Sequence, residues 1–204
     1  RPGISGLLCV ALGLLAACSR SEPRNSGGPI VMKRLTQAQY RNIIADVFAP
    51  QIVVAGRFDP IVRTEGLLTV GAGRASVTPS GVERLTAMAY SIAQQVVAPG
   101  NRELLIPCEP QNASSADEKC ATRFFQQAGR LLYRRAIGSD DIAMPVKVAV
   151  KAAITRQDFY AGLAYGLQAM LTSPEFLFIA ETAAQARDAA ERVALLIANS
   201  AHTA

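Results

Sequence analysis

The longest apolar run in the body of the chain is Asp158 to Glu181, DFYAGLAYGLQAMLTSPEFLFIAE. From Phe159 to Leu171 the only strongly polar side chain is Gln168. At about 100° per residue the apolar groups then point in every direction, which predicts a helix enclosed by other matter. The run falls short of the roughly 20 residues a bilayer span needs, and Thr172, Ser173 and Pro174 end it, so the expected surroundings are protein. Thr155 with Asp158 three places on has the form of a capping box and predicts the helix start. Gly162 and Gly166 share a face and predict close approach of a neighbouring backbone, while Gln168 is expected to bond to nearby main chain. Ser173 and Pro174 read as N-cap and first position of a second short helix, Glu175 to Glu181.

Three further segments repeat apolar residues at helical spacing. Arg34 to Ala49 opens with the capping box Thr36 and Gln39 and carries Tyr40, Ile43, Ile44, Val47 and Phe48. A second helix is expected from the Thr78 cap to about Ala98, with Val82, Leu85, Ala89, Ile92 and Val96 in one stripe, ended by Pro99 and Gly100. The third is expected over Ala116 to Ile137, with Ala121, Phe125, Ala128 and Leu132 facing inward and Arg123, Gln127, Arg130 and Arg134 on a solvated face. Arg135 lands in the apolar sector; snorkelling near the helix C-terminus is the ordinary account, a partly buried ion pair with Asp140 or Asp141 the sharper one. Ser139 is expected to cap one more helix, Asp140 to Ile154, with Pro145 in or just after its first turn. Residues 50–77 hold Gly56, Pro60, Gly66, Gly71 and Gly73 and read as one long loop. The expected architecture is all-α: an orthogonal or irregular bundle of about five to six helices with one long loop and one disulfide.

The beginning of the chain adds a compartment. Gly6 to Ala17 is an apolar h-region, and Leu15, Ala16, Ala17, Cys18 has the form of a bacterial lipobox. Residues 1–17 are therefore read as a lipoprotein signal peptide, Cys18 as the lipid-bearing residue, 18–29 as a Ser-, Gly- and Pro-rich tether, 30–181 as the helical domain and 182–204 as an alanine-rich tail. The implied location is the bacterial cell envelope, anchored to a membrane by lipid and facing periplasm or cell surface. In an exported chain the two remaining cysteines, Cys108 and Cys120, read as a disulfide, with free thiols and metal ligation as the lesser readings.

Composition narrows the chemistry. The 204 residues suit one domain, and the formal net charge of +5 comes from scattered Lys and Arg without aromatic interleaving, a poor match for nucleic acid. The single histidine, His202, lies in the tail; no catalytic triad can be drawn and no metal set assembled. Asp46, Asp59 and Glu65 are dispersed rather than paired. Leu67 to Ser76, LLTVGAGRAS, superficially suggests a dinucleotide loop, but Val77, Thr78 and Pro79 separate its glycines from the next helix. Arg123, Arg130 and Arg134, with Arg135, are candidate contacts for an anionic envelope polymer or a protein partner, against the plainer reading of solvated surface. No catalytic residue is assigned, so the chain by itself reads as a structural or partner-binding module more than as an enzyme.

Three segments carry a family resemblance. RLTQAQYRNIIADVF, CEPQNASSADEKCATRFFQQAGRLLYRRAI and DFYAGLAYGLQAMLTSPEFLFIAE, in this order, resemble the planctomycete surface-domain family of bacterial envelope proteins of unknown function. The resemblance covers about residues 33–181 and includes the cysteine pair, the double arginine Arg134 and Arg135, and the Ser173, Pro174, Phe176 motif. It implies a helical fold and an envelope location, with this chain similar to an N-terminal part of such a protein. Some relatives carry c-type cytochrome modules, which implies an alternative: an accessory part of a haem-dependent oxidoreductase, with haem c in a longer form and no cofactor in this chain, which lacks CxxCH. The segment after Glu181 departs from the family pattern and is read as a truncated or frameshifted end. Ala136 and Ile137 stand where the family has proline.

Overall fold

A computed structural model describes residues 31–60 and 77–181. In chain order the elements are β1 (Val31–Arg34), α1 (Gln37–Phe48), α2 (Pro79–Val96), α3 (Pro99–Leu105), α4 (Glu118–Leu132), α5 (Ser139–Arg156), α6 (Phe159–Leu171), α7 (Pro174–Leu177) and β2 (Phe178–Glu181). The fold is mostly helical, as the pattern predicts, with seven helices and one short sheet among the described residues. The lipobox with Cys18, the tether, the Leu67 to Ser76 glycines and the tail all lie outside the described residues.

The centre is α6. None of its 13 residues is exposed, and Phe159, Leu163, Leu167, Met170 and Leu171 are 2% exposed or less. Among the described residues no helix is long and apolar enough to cross a membrane. Protein encloses α6. On the α5 side, a Cβ on Gly162 would meet the Ala149 carbonyl oxygen and, at 2.6 Å, the Ala153 methyl. A Cβ on Gly166 would lie 2.5 Å from the Phe125 ring and 2.6 Å from the Pro145 carbonyl oxygen. The two glycines thus seat α5 directly on the α6 backbone, as their spacing predicts. On the α2 side, Gln168 donates to the Thr86 carbonyl at 3.4 Å, also as predicted.

Helix beginnings follow local chemistry, with corrections. Thr36 and Gln39 form the capping box of α1, and Thr78 accepts from Gly81 N–H at the head of α2. The start of α6 is set by Asp158 itself, which accepts from Tyr160 and Ala161 N–H at 2.8 and 3.1 Å. Thr155 belongs to the last turn of α5, its hydroxyl donating to the Lys151 carbonyl. A left-handed Gln157 (φ 50°) separates the two helices, so the expected Thr155 and Asp158 box does not form. Pro99 does not simply end α2; it occupies the first turn of α3, where its missing N–H costs nothing. Ser139 is the first residue of α5 rather than its cap; Gly138 precedes it, and Asp141 accepts from Gly138 N–H at 2.7 Å.

Two strands stand where the pattern showed none. Residues 178–181, expected to continue a helix, pair antiparallel with 31–34 in the register Val31 to Glu181 and Arg34 to Phe178. The pairing continues one step inward, Leu35 N–H donating to the Leu177 carbonyl at 2.8 Å. Val82, expected in the inner stripe of α2, is 52% exposed; the buried face instead runs Gly81, Leu85, Met88, Ala89, Ile92, Ala93, Val96.

The expected disulfide joins Cys108 to Cys120, with Cα atoms 5.7 Å apart. It ties the loop after α3 to the first turn of α4, whose N-cap Asp117 accepts from Cys120 and Gln111 N–H. Farther along the same loop the Ala113 carbonyl accepts from Phe159 N–H at 2.8 Å, so the loop also holds the start of α6.

Candidate functional site

The residues of the three resembling segments meet in one place. Ser173 accepts from Phe176 N–H as N-cap of α7, and its hydroxyl lies 3.3 Å from the Tyr133 hydroxyl. Phe176 is fully buried, its ring 5.1 Å from that of Tyr40, which packs edge-on against Phe58 at 5.0 Å. Tyr40 is itself fully buried, and burial raises its pKa. Beside them Arg34 donates to the Asp59 carbonyl at 2.7 Å. These side chains hold α1, α4, α7 and the sheet to one another, a fold-keeping nucleus rather than a site open to a ligand.

Arg134 belongs to this nucleus, which alters the predicted basic face. The helix that was expected to reach Ile137 stops at Leu132, and Arg134 takes the left-handed conformation (φ 56°) usually left to glycine at a helix end. Its guanidinium turns back to donate to the carbonyls of Leu132 at 2.9 Å and of Phe176 and Phe178 at 3.1 Å each. Those are carbonyls that the ends of α4 and α7 would otherwise leave to water. The Arg134 side chain is thus separated from Arg123 and Arg130, with which the periodicity grouped it.

Arg135 likewise leaves the apolar sector to which a continued helix would assign it. It makes a two-pronged pair with Asp141, at 2.6 and 3.1 Å, with its side chain 47% exposed. The pair is the predicted one, but solvated rather than partly buried. Hydrogen bonding from Arg135, then from Gly138 N–H, holds the Asp141 carboxyl at about 2, below its usual 3.8. The same bond raises Arg135. Another carboxylate closes the head of the long loop: Asp59 accepts from Thr78 and pairs with Arg84, and the Thr78 bond first of all lowers its pKa. Among the described residues no group of three or more His, Cys, Asp or Glu side chains could hold a metal ion.

Arg123 and Arg130 remain exposed and make no ion pair among the described residues, and Arg123 lines a hollow that shares Glu118, Thr122 and Gln126 with an open groove on the surface. That groove, of about 630 Å³, lies between α4 and α5. Its floor is a ridge at every fourth residue of α5, from Ile142 (2% exposed) and Val146 (8%) through half-buried Val150 to Ile154 (64%), so the ridge climbs out of the core along the helix. The opposite wall is Glu118, Thr122 and Gln126 of α4, also four apart. The periodicity pointed to the arginines but not to the groove. The pattern placed Val150 and Ile154 in the expected Asp140 to Ile154 helix without assigning them a face.

No curated protein and no solved structure matches the chain. Residues 120–181, from the first turn of α4 to the end of β2, match the model of a family described as PSD5, protein of unknown function (DUF1595), so this part of the chain carries an uncharacterised domain.

Proposed function

We propose that the chain is a lipid-anchored module of the bacterial cell envelope whose role is to hold a partner. The observation that carries the reading is the α4–α5 groove, an apolar floor left open beside exposed cations. Supporting it are the lipobox order ending at Cys18, the polar tether after it, and a disulfide of the kind that exported domains retain. The motif residues of the resembling segments are spent on the fold, which leaves binding rather than bond chemistry as the role for the surface.

Metabolic labelling with radioactive palmitate in a bacterial host tests the anchor. The wild-type product takes up label and fractionates with membranes, and Cys18→Ser abolishes both. Unlabelled wild-type protein in the soluble fraction overturns the reading.

A further inference from the structure

The groove between α4 and α5 has the dimensions and charges of a seat for one more helix. Its lining runs along α5 from Ser139 to Thr155, about 24 Å at the helical rise per residue, which suits a partner helix of roughly 16 residues. Both walls are ridges of residues four apart, the arrangement into which a third helix packs. A lipid tail would be better served by an enclosed cavity, whereas this groove is open along its length and its floor grows more exposed toward Ile154.

The charges around it are of predominantly one sign. On the α5 rim Lys147 and Lys151, one turn apart, are exposed and form no ion pair among the described residues. On the α4 side, an adjoining hollow of about 560 Å³ shares Glu118, Thr122 and Gln126 with the groove and adds Lys119 and Arg123, again one turn apart. The acidic groups at or next to the lining are Glu118, its neighbour Asp117, which already accepts from Cys120 and Gln111 N–H, and, next to Ser139, Asp140; Asp141 is already taken by Arg135. An apolar strip flanked on each side by a pair of cations complements a helix with one apolar stripe bordered by carboxylates.

We infer that the α4–α5 groove binds an acidic amphipathic helix of a protein partner, with Val150 and Ile154 meeting its apolar stripe and Lys147, Lys151, Lys119 and Arg123 meeting its flanks. The inference rests on the partner-binding reading above and names the kind of partner.

The test is fluorescence anisotropy of the full chain, carrying Cys18→Ser so that no detergent is needed, with a labelled 16-residue peptide of leucines at i, i+3, i+4 spacing among glutamates. Binding to this peptide is expected, at least tenfold tighter than to a scrambled peptide or to one with lysine for every glutamate, and weakening as salt rises. Ile154→Asp and the double variant Lys147→Glu/Lys151→Glu, both at exposed positions and checked by circular dichroism for an intact fold, are each expected to lose tenfold or more. Equal binding of the control peptides, or unchanged binding by both variants, overturns the inference. So does a self-association that Ile154→Asp abolishes, which would give the groove to a second copy, and so does a preference for vesicles of anionic phospholipid over the peptide. A chain that takes palmitate at Cys18 yet ignores the peptide sinks the groove assignment alone; one that binds the peptide without the label sinks the anchor alone.

Discussion

Arg134 and Arg135 are neighbours in sequence with opposite fates, and the difference is set by which acceptors each can reach. Arg134 has the carbonyls at the end of α4 and around α7 within reach, while Arg135 has the carboxylate at the third position of α5. The second pairing is measurable. A carboxyl depressed in the folded chain contributes its stabilisation in full above the unfolded value, here about 4, and loses it as pH falls toward the folded value of about 2. A carbon-detected NMR titration should place the Asp141 midpoint near 2 in wild type. In Arg135→Ala it should rise toward the ordinary range, and stability should then fall less steeply between pH 4 and 2. An unmoved midpoint in the variant would assign the depression to Gly138 N–H instead.

At the scale of elements, α6 is defined by what it lacks. Two glycines on one face let α5 lie against its backbone, with Pro145 and Ala149 opposite Gly166. A methyl at residue 166 must displace the Phe125 ring and the Pro145 carbonyl, and overpacking of this kind costs about 1–3 kcal/mol, more than the roughly 1 kcal/mol gained from better helix propensity. Gly166→Ala is therefore expected to lower unfolding free energy in urea by up to about 2 kcal/mol. Gly100→Ala, in α3 with open space around its Cα, should be neutral or mildly stabilising. If both substitutions behave alike, the close approach of α5 and α6 is not what residue 166 serves. The end of α7 gives the complementary lesson. Phe178 and Ile179 would suit a helix equally well, but the carbonyl of Leu177 is taken by Leu35 N–H, and beyond it the chain pairs with β1.

For the molecule as a whole, the disulfide and the sheet close the chain on itself. The sheet brings 31–34 to 178–181 and so joins the two ends of the helical domain, while Cys108–Cys120 fastens a loop that touches both α4 and α6. A closed loop of about 13 residues contributes on the order of 3 kcal/mol in the chain-entropy model. Reduction, or Cys108→Ser with Cys120→Ser, is expected to shift the urea midpoint by a comparable amount and to open 109–117 to protease before any helix is cut. Equal stability of oxidised and reduced protein would refute that role.

How much of this was legible follows from the range of each interaction. Capping, apolar periodicity and the meaning of Gly162 and Gly166 act within a few residues, so Thr36, Thr78, Ser173 and the core faces of α1, α4 and α6 could be read directly. Helix ends could be read only in part. The stop at Leu132 and the shift of the cap from Thr155 to Asp158 depend on acceptors and turns that no period encodes. Strand pairing between residues nearly 150 positions apart leaves no local trace, and neither does the Gln95 side chain that clasps the Val53 backbone at 2.8 and 2.9 Å. The groove is the extreme case. Local sequence placed Val150 and Ile154 in a helix without assigning them a face, and only the packing of α4 against α5 decided that this end of the ridge would stay uncovered, because burial depends on where a neighbouring helix lies and not on the residue that awaits it.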